Sequence, residues 1–232
     1  MYEETLLFTK FLGKGVQPKY THIQWSDQFK NKQGKIIHDG EYTPQYLASG
    51  ECDIYPNNLT KNDWRLKKMD FVMLFPSRMM VIVHKSERIK YHKPMDLSGK
   101  VAVVEANTSF HSWLVEQNKT SFQKNPIQIT LMNVNLLLEQ LVNKQANFSI
   151  FDADSAMWIT QNEYPQLSIA FPIGSMDQIG WMFRKSDKQL QKKVDLFFNS
   201  QRADQNSAIN QIWKKYYGMD LIKFVRIISS ID

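Results

Sequence analysis

Leu6, Leu7, Phe11 and Leu12 recur at helical spacing, and Gly13 and Gly15 follow them, which predicts a helix over residues 3–13. The run "KYTHIQW" (19–25) alternates apolar and polar positions, as a half-buried strand does. Residues 26–44 are polar and carry glycine and proline, the composition of a long loop. In "TPQYLASGE", Thr43 as N-cap, Pro44 in the first turn and Gly50 at the end predict a short helix, and "CDIYP" then reads as a strand.

The middle of the chain continues this alternation. "VAVVEA", "IQITLM", "FSIFDA" and "LSIAF" read as strands, and "SFHSWLVEQN", "VNLLLEQLVNKQ" and "SAMWITQNEY" as helices between them. "IGWMFRK" is a further strand, and the C-terminal stretch "KQLQKKVDLFFNSQRADQNSAINQIWKKYYG" reads as two helices split near Ser200–Asp204. Strands that alternate with helices of this length imply an α/β protein with parallel strands and crossover helices. The apolar run "FVMLFPSRMMVIV" is interrupted by Pro76, Ser77 and Arg78 and reads as two short strands with a bend, with no helix between them. Such a piece suits a crossing between two lobes.

Composition narrows the function. No apolar run reaches the roughly 18 residues that cross a bilayer. The N-terminus is acidic and then apolar at helical spacing, unlike a secretion signal. The net charge of +6 is spread among acidic residues; the basic patches "RLKKMDF" and "KSDKQLQKK" read as solvated faces, and no nucleic-acid partner is expected. The only cysteine, Cys52, excludes an intrachain disulfide and reads as a small core residue. The five histidines are scattered and no Cys/His cluster exists, so neither a metal nor a cofactor is expected.

The candidate chemistry centres on Arg65, in "NNLTKNDWRLKKMDF" just after a strand. A guanidinium offers parallel N–H donors to a carboxylate. Two readings stand: Arg65 pairs with Asp63, Asp70 or Glu51 on the surface, or it meets a ligand's anion. "ANTS" (106–109) lies between a strand and a helix and supplies backbone N–H groups and a favourable dipole for an anion. Asp152 follows the strand "FSIF" and is an acceptor for a cation, or the N-cap of the next helix, a place for which Asp154 competes. Trp25, Tyr42 and Trp64 read as packing residues.

The order of these stretches resembles the type II periplasmic solute-binding proteins of the amino-acid-binding kind, family 3. The stretches that carry the resemblance are "YLASGECDIYPNNLTKNDWRLKKMDF", "DLSGKVAVVEANTSFHSWL", "LLLEQLVNKQANFSIFDAD" and the end "EYPQLSIAFPIGSMDQIGWMFRKSD" through "QIWKKYYGMDLIKF". That end is most similar to the solute-binding-type regulatory domain of membrane-bound lytic transglycosylases of the F kind. The resemblance implies an α/β, two-lobe periplasmic-binding-protein-like fold of type II, each lobe a mainly parallel sheet flanked by helices, with a ligand cleft between them. Residues 1–77 with 178–232 would form lobe 1 and residues 78–177 lobe 2. The family opens with a central strand, whereas this chain starts at the helix after it, so the first strand of lobe 1 is expected to be missing or to lie upstream.

By the same resemblance, Arg65 and Thr108 take the carboxylate of an amino acid or short peptide, with the backbone N–H of Asn107. Asp152 takes the ammonium, and Asn57, Asn58 and Thr60 line the first lobe's side. The family's Gly-Thr-Thr is here Ala106–Asn107–Thr108. The implied module is extracytoplasmic or periplasmic, monomeric and non-catalytic, with any membrane tether in a segment outside these residues. Its implied partner is a membrane transporter (uptake) or an attached signalling or lytic domain (sensing). Two alternatives belong to the same fold: an interaction module that has lost its ligand site, and a dehydratase for which Glu105 is the one candidate acid/base.

Overall fold

The computed structural model describes residues 2–231 of the 232-residue chain. Six strands carry the fold: β1 (Ile54–Thr60), β2 (Asp70–His84), β3 (Val101–Val104), β4 (Gln128–Leu131), β5 (Phe148–Asp152) and β6 (Leu167–Phe183), in the hydrogen-bonded order β1-β6-β2-β5-β3-β4. The helices are α1 (Tyr2–Leu12), α2 (Gln45–Ala48), α3 (Asp63–Leu66), α4 (Ser109–Lys119), α5 (Val134–Val142), α6 (Ala153–Trp158), α7 (Lys188–Arg202), α8 (Ala208–Tyr217) and α9 (Leu221–Ser229). The chain forms two compact units, one of Met1–Pro76 with Asp177–Ile227 and one of Ser77–Met176 with Ile228–Asp232.

The first unit holds β1 antiparallel to β6, with Ile54 opposite Phe183 and Thr60 opposite Ile179. One core cluster gathers Phe29, Leu47, Tyr55, Leu59, Met69 and Met182. A second group is aromatic. Phe8 of α1 meets Trp181 edge-on at 6.0 Å and Phe197 of α7 at 5.6 Å, while Phe75, Trp213 and Phe224 stack within 6.0 Å of one another. Trp181 and Trp213 are core residues, as their sequence context implies. These two aromatic groups bury a large apolar area on few side chains, which stabilises a small unit efficiently.

The second unit is built on β3, which runs parallel to β4 and to β5; α4 lies between β3 and β4 in sequence, and α5 between β4 and β5. These are the crossover connections that parallel pairing requires. β2 instead joins β5 antiparallel, with Met79 opposite Asp152 and Val83 opposite Phe148, because β2 precedes this group and reaches it without a crossover. The core comprises Val81, Val83, Leu97, Val104, Leu114, Phe148 and Ile150 with their neighbours.

Several sequence expectations give way to tertiary context. The strand expected over 19–25 is absent: residues 16–24 have no strand pairing, and Trp25–Phe29 is a 3-10 turn. Alternation predicts a strand only where a partner edge exists to accept its hydrogen bonds. The two short strands around Pro76 are one continuous strand of 15 residues. "LSIAF" and "IGWMFRK" likewise merge into the 17-residue β6. In α2 the N-cap position is Pro44 rather than Thr43, and no side chain caps it. A third C-terminal helix, α9, follows the two expected. The fully buried Asn210 explains it: its side chain donates to the carbonyl of Asp204 and accepts from the Leu221 N–H at 2.9 Å, starting α9 from another helix.

Gly180 of β6 lies against β2 so closely that an added Cβ would overlap the Val72 carbonyl oxygen and the Phe71 ring. Backbone cannot yield as a flexible side-chain tip does. Gly180→Ala is therefore expected to destabilise the chain by about 3 kcal/mol, near the upper end of overpacking costs; urea unfolding of the variant beside the parent reads it.

Candidate functional site

The ladder between β1 and β6 breaks between Tyr55 and Leu59, where Asn57 and Asn58 sit. From Tyr55 to Leu59, β1 advances four residues while its partner moves only from Met182 to Gly180. The surplus residues Pro56–Asn58 bulge out of register, and Asn58 adopts the left-handed conformation at φ 51°. A bulge re-aims side chains that a regular strand would alternate, and a non-glycine residue at positive φ is held there by its surroundings. The carbonyl oxygens of the Asn57 and Asn58 side chains are buried without a hydrogen-bond partner among the described residues.

Arg65 follows this bulge on α3. Asn62 caps that short helix by accepting from the Arg65 N–H at 3.1 Å, which fixes the backbone. The side chain turns inward and is 1% exposed. Its Nη1 donates to the Thr60 carbonyl at 2.8 Å, and its guanidinium carbon lies 5.0, 5.3 and 5.8 Å from the ring centres of Phe29, Trp64 and Trp25. Contacts of this kind between a desolvated cation and ring faces contribute up to about 2 kcal/mol. Asp70, one of the three carboxylates considered as surface partners for it, pairs with Lys188.

Lys68 is a second sequestered cation, also 1% exposed. Its Nζ donates to the carbonyls of His38, Trp64 and Gly40 at 2.8, 3.0 and 3.0 Å, and it stands over the rings of Tyr42 and Trp64. Burial holds the Lys68 ammonium below the usual lysine range. The lysine thereby pins the long polar loop, whose other end Tyr42 anchors by donating to the Phe29 carbonyl at 2.8 Å. Trp25, Tyr42 and Trp64 do pack, as expected, but they pack on cations.

In the second unit, Asn107 is also left-handed, at φ 62°. It stands in the turn between β3 and α4, where the family's pattern is richer in glycine. Thr108 is buried and is the N-cap of α4: its hydroxyl accepts from the His111 N–H at 3.1 Å and donates to the Glu105 carbonyl at 2.7 Å. Burial pushes the Glu105 carboxyl up. Asp152 ends β5 at the N-cap position of α6, yet its side chain makes no capping bond. Ser77, fully buried, accepts from the Ala153 N–H at 3.2 Å instead. Arg65, Thr60, Asn57 and Asn58 thus share the first unit; Asn107, Thr108 and Asp152 belong to the second.

Two features escaped the sequence reading. Gln28, 1% exposed, accepts from Asn57 Nδ2 at 2.6 Å and donates to the Trp25 carbonyl at 2.7 Å. The signal available was the Trp25/Phe29 pair, four residues apart in a polar stretch. A groove of about 490 Å³ lies along Phe71–Met73 and the α7 residues Lys188, Lys192 and Asp195, and none of the expected site residues lines it.

The family model for bacterial extracellular solute-binding proteins, family 3, matches residues 39–219, which is most of the chain. This chain belongs to that family. Among curated relatives, the membrane-bound lytic murein transglycosylase F of Desulfosudis oleivorans is 26% identical over 188 residues, which cover 78% of this chain and 39% of the relative. The solute-binding chain therefore spans about two fifths of that relative's length. Among solved structures, one from the glutathione import system of GshT and the cystine ABC importer TcyBC of Streptococcus mutans superposes with a TM-score of 0.73 at 19% identity, covering 93% of this chain and 85% of that one. A mutant of ArgBP from T. maritima gives 0.70 at 17% identity, covering 92% and 84%. The fold is that of the type II periplasmic binding proteins. No helix among the described residues is long and apolar enough to cross a membrane.

Asp177, on β6, is half-buried, its Oδ2 has no hydrogen-bond partner among the described residues, and burial pushes its carboxyl up to about 6 from the ordinary 3.8. A raised folded pKa favours the protonated folded state. Its stabilising effect is complete below about pH 4 and is lost as pH climbs through 6. Melting temperatures between pH 4 and 7 should fall across that window, and Asp177→Asn should flatten the fall.

Proposed function

We propose that this solute-binding chain is a non-catalytic, extracytoplasmic module that takes a small ligand bearing a carboxylate and an ammonium, an amino acid or short peptide. The observation that carries this reading is Arg65. A guanidinium that is 1% exposed, lies against three rings and donates to a backbone carbonyl is not an ordinary surface arginine. A low-dielectric enclosure strengthens its attraction for an anion well above the value in water. The bulge before it in the chain carries the side-chain oxygens of Asn57 and Asn58, acceptors without a partner among the described residues, with Asn58 left-handed. Such acceptors suit the donors of an ammonium or a peptide amide, and held strain of this kind accompanies binding sites.

In this reading Arg65 receives the carboxylate, with Thr60, Asn57 and Asn58 beside it. Asn107 and Thr108 offer backbone N–H groups at the start of α4, and Asp152 accepts from the ammonium. The Thr108 hydroxyl already serves the helix cap, so its backbone, not its hydroxyl, is the donor assigned to the ligand. The likeness to a transglycosylase, of which the chain spans only about two fifths, favours a sensing module attached to a cell-wall lytic enzyme. Uptake is the second reading, and the likeness to a structure from a glutathione import system supports it.

Thermal-shift and calorimetric titration with amino acids, short peptides and cell-wall peptides test the proposal. A ligand that binds the folded state raises the melting temperature with concentration by mass action. Arg65→Lys, which keeps the charge and loses the fork, is expected to weaken a carboxylate ligand roughly 10- to 100-fold. Asp152→Asn is expected to weaken only ligands with a free ammonium. No shift with any of these compounds, or unchanged affinity in Arg65→Lys, overturns the reading.

A further inference from the structure

We infer that Gln28 is a positioning residue for the anion site: it latches the Trp25–Phe29 turn over Arg65 as an aromatic cover. The inference rests on the reading of Arg65 as the group that receives a carboxylate. The turn lies outside residues 39–219, the span that matches the family, so the cover is built by a part of this chain that the family match does not include.

The geometry of the latch is determined by hydrogen-bond polarity. The Trp25 carbonyl only accepts, so it requires the Gln28 side-chain NH2, which donates to it at 2.7 Å. The Gln28 side-chain oxygen must then face Asn57 and accept from its Nδ2 at 2.6 Å. One buried amide thus closes the turn on itself and ties it to the β1 bulge. Further bonds hold the turn's far end, from Tyr42 Oη to the Phe29 carbonyl and from the Gln45 N–H to the Lys30 carbonyl, both at 2.8 Å. Phe29 is fully buried, while Trp25, on the outer side of the turn, is half-buried. Of the three rings around the guanidinium, two belong to this turn.

Gln28 ties this turn to the β1 bulge, so its loss loosens the half-buried Trp25 edge of the turn while Phe29 stays anchored in the core. Access to Arg65 then depends on the fraction of molecules in which the turn is lifted, and the apparent affinity of any anion scales with that fraction. The same bond fixes which way the Asn57 amide faces, with its Nδ2 toward Gln28 and its buried Oδ1 away from the latch. Gln28 therefore sets both the access to the guanidinium and the polarity of the group next to it.

The test reads Arg65 directly and needs no ligand. Phenylglyoxal reacts with accessible guanidinium groups, and peptide mass spectrometry follows each arginine separately. Arg184, in the same unit and paired with Asp53 and Asp187, serves as the internal control for general loosening. Gln28→Met keeps the side-chain volume and removes both hydrogen bonds. It is expected to raise the labelling rate of Arg65 about tenfold while that of Arg184 stays unchanged. Gln28→Glu, which keeps an acceptor for Asn57 but sets a carboxylate against the Trp25 carbonyl, is expected to raise it as well, and decides the matter if Gln28→Met does not fold. An unchanged Arg65 rate, or a rise shared equally by Arg184, overturns the latch. Because the assay is ligand-free, a latch that behaves as expected in a chain that binds none of the titrated compounds would count against the proposed function alone.

Discussion

A guanidinium cannot leave water without something to replace the lost hydration, and the first unit is organised around how Arg65 meets that requirement. A backbone carbonyl of Thr60 takes one N–H, and three aromatic faces surround the charge. This demands that the strand end, the short α3 helix and the distant Trp25–Phe29 turn arrive together. Asn62 caps α3 so that Arg65 points inward, and the β1 bulge moves Asn57 toward Gln28. Each device is small, and each depends on the others. Lys68 repeats the arrangement one helical turn later, with three carbonyls and two rings, and so holds the long polar loop in place.

The second unit offers groups of a different kind. Its groups are a helix start and a strand end, features that backbone geometry supplies in any parallel α/β unit. Thr108 spends its hydroxyl on the α4 cap and on the Glu105 carbonyl, which tightens the turn and leaves the polar backbone of Asn107 in a left-handed bend. Ser77 serves α6, so that helix does not draw on the Asp152 carboxylate for its cap. The chemistry of this unit is mostly main-chain, and that of the first unit mostly side-chain.

Membership in the solute-binding family and likeness to a lytic transglycosylase describe the scaffold, not the solute. The Trp25–Phe29 turn, with Gln28 in it, lies before the matched span begins.

Much of this was legible in the residue pattern itself. The alternation of strands and helices from Val101 to Asp152, the α4 start at Thr108 and the core positions of Trp181 and Trp213 follow from period and capping chemistry, which act over a few neighbouring residues. Tertiary structure alone decided the rest. "KYTHIQW" alternates like a strand but has no edge to pair with; the chain runs straight through Pro76 because it lies in a long strand; α9 begins because Asn210 reaches across to Leu221. The burial of Arg65 among Trp25, Phe29 and Trp64 belongs to the same class. The sequence by itself determined which groups carry charge and which segments repeat with a helix or strand period. Which of those groups leave water, and in whose company, depends on residues up to 40 positions away, and no local pattern encodes that meeting.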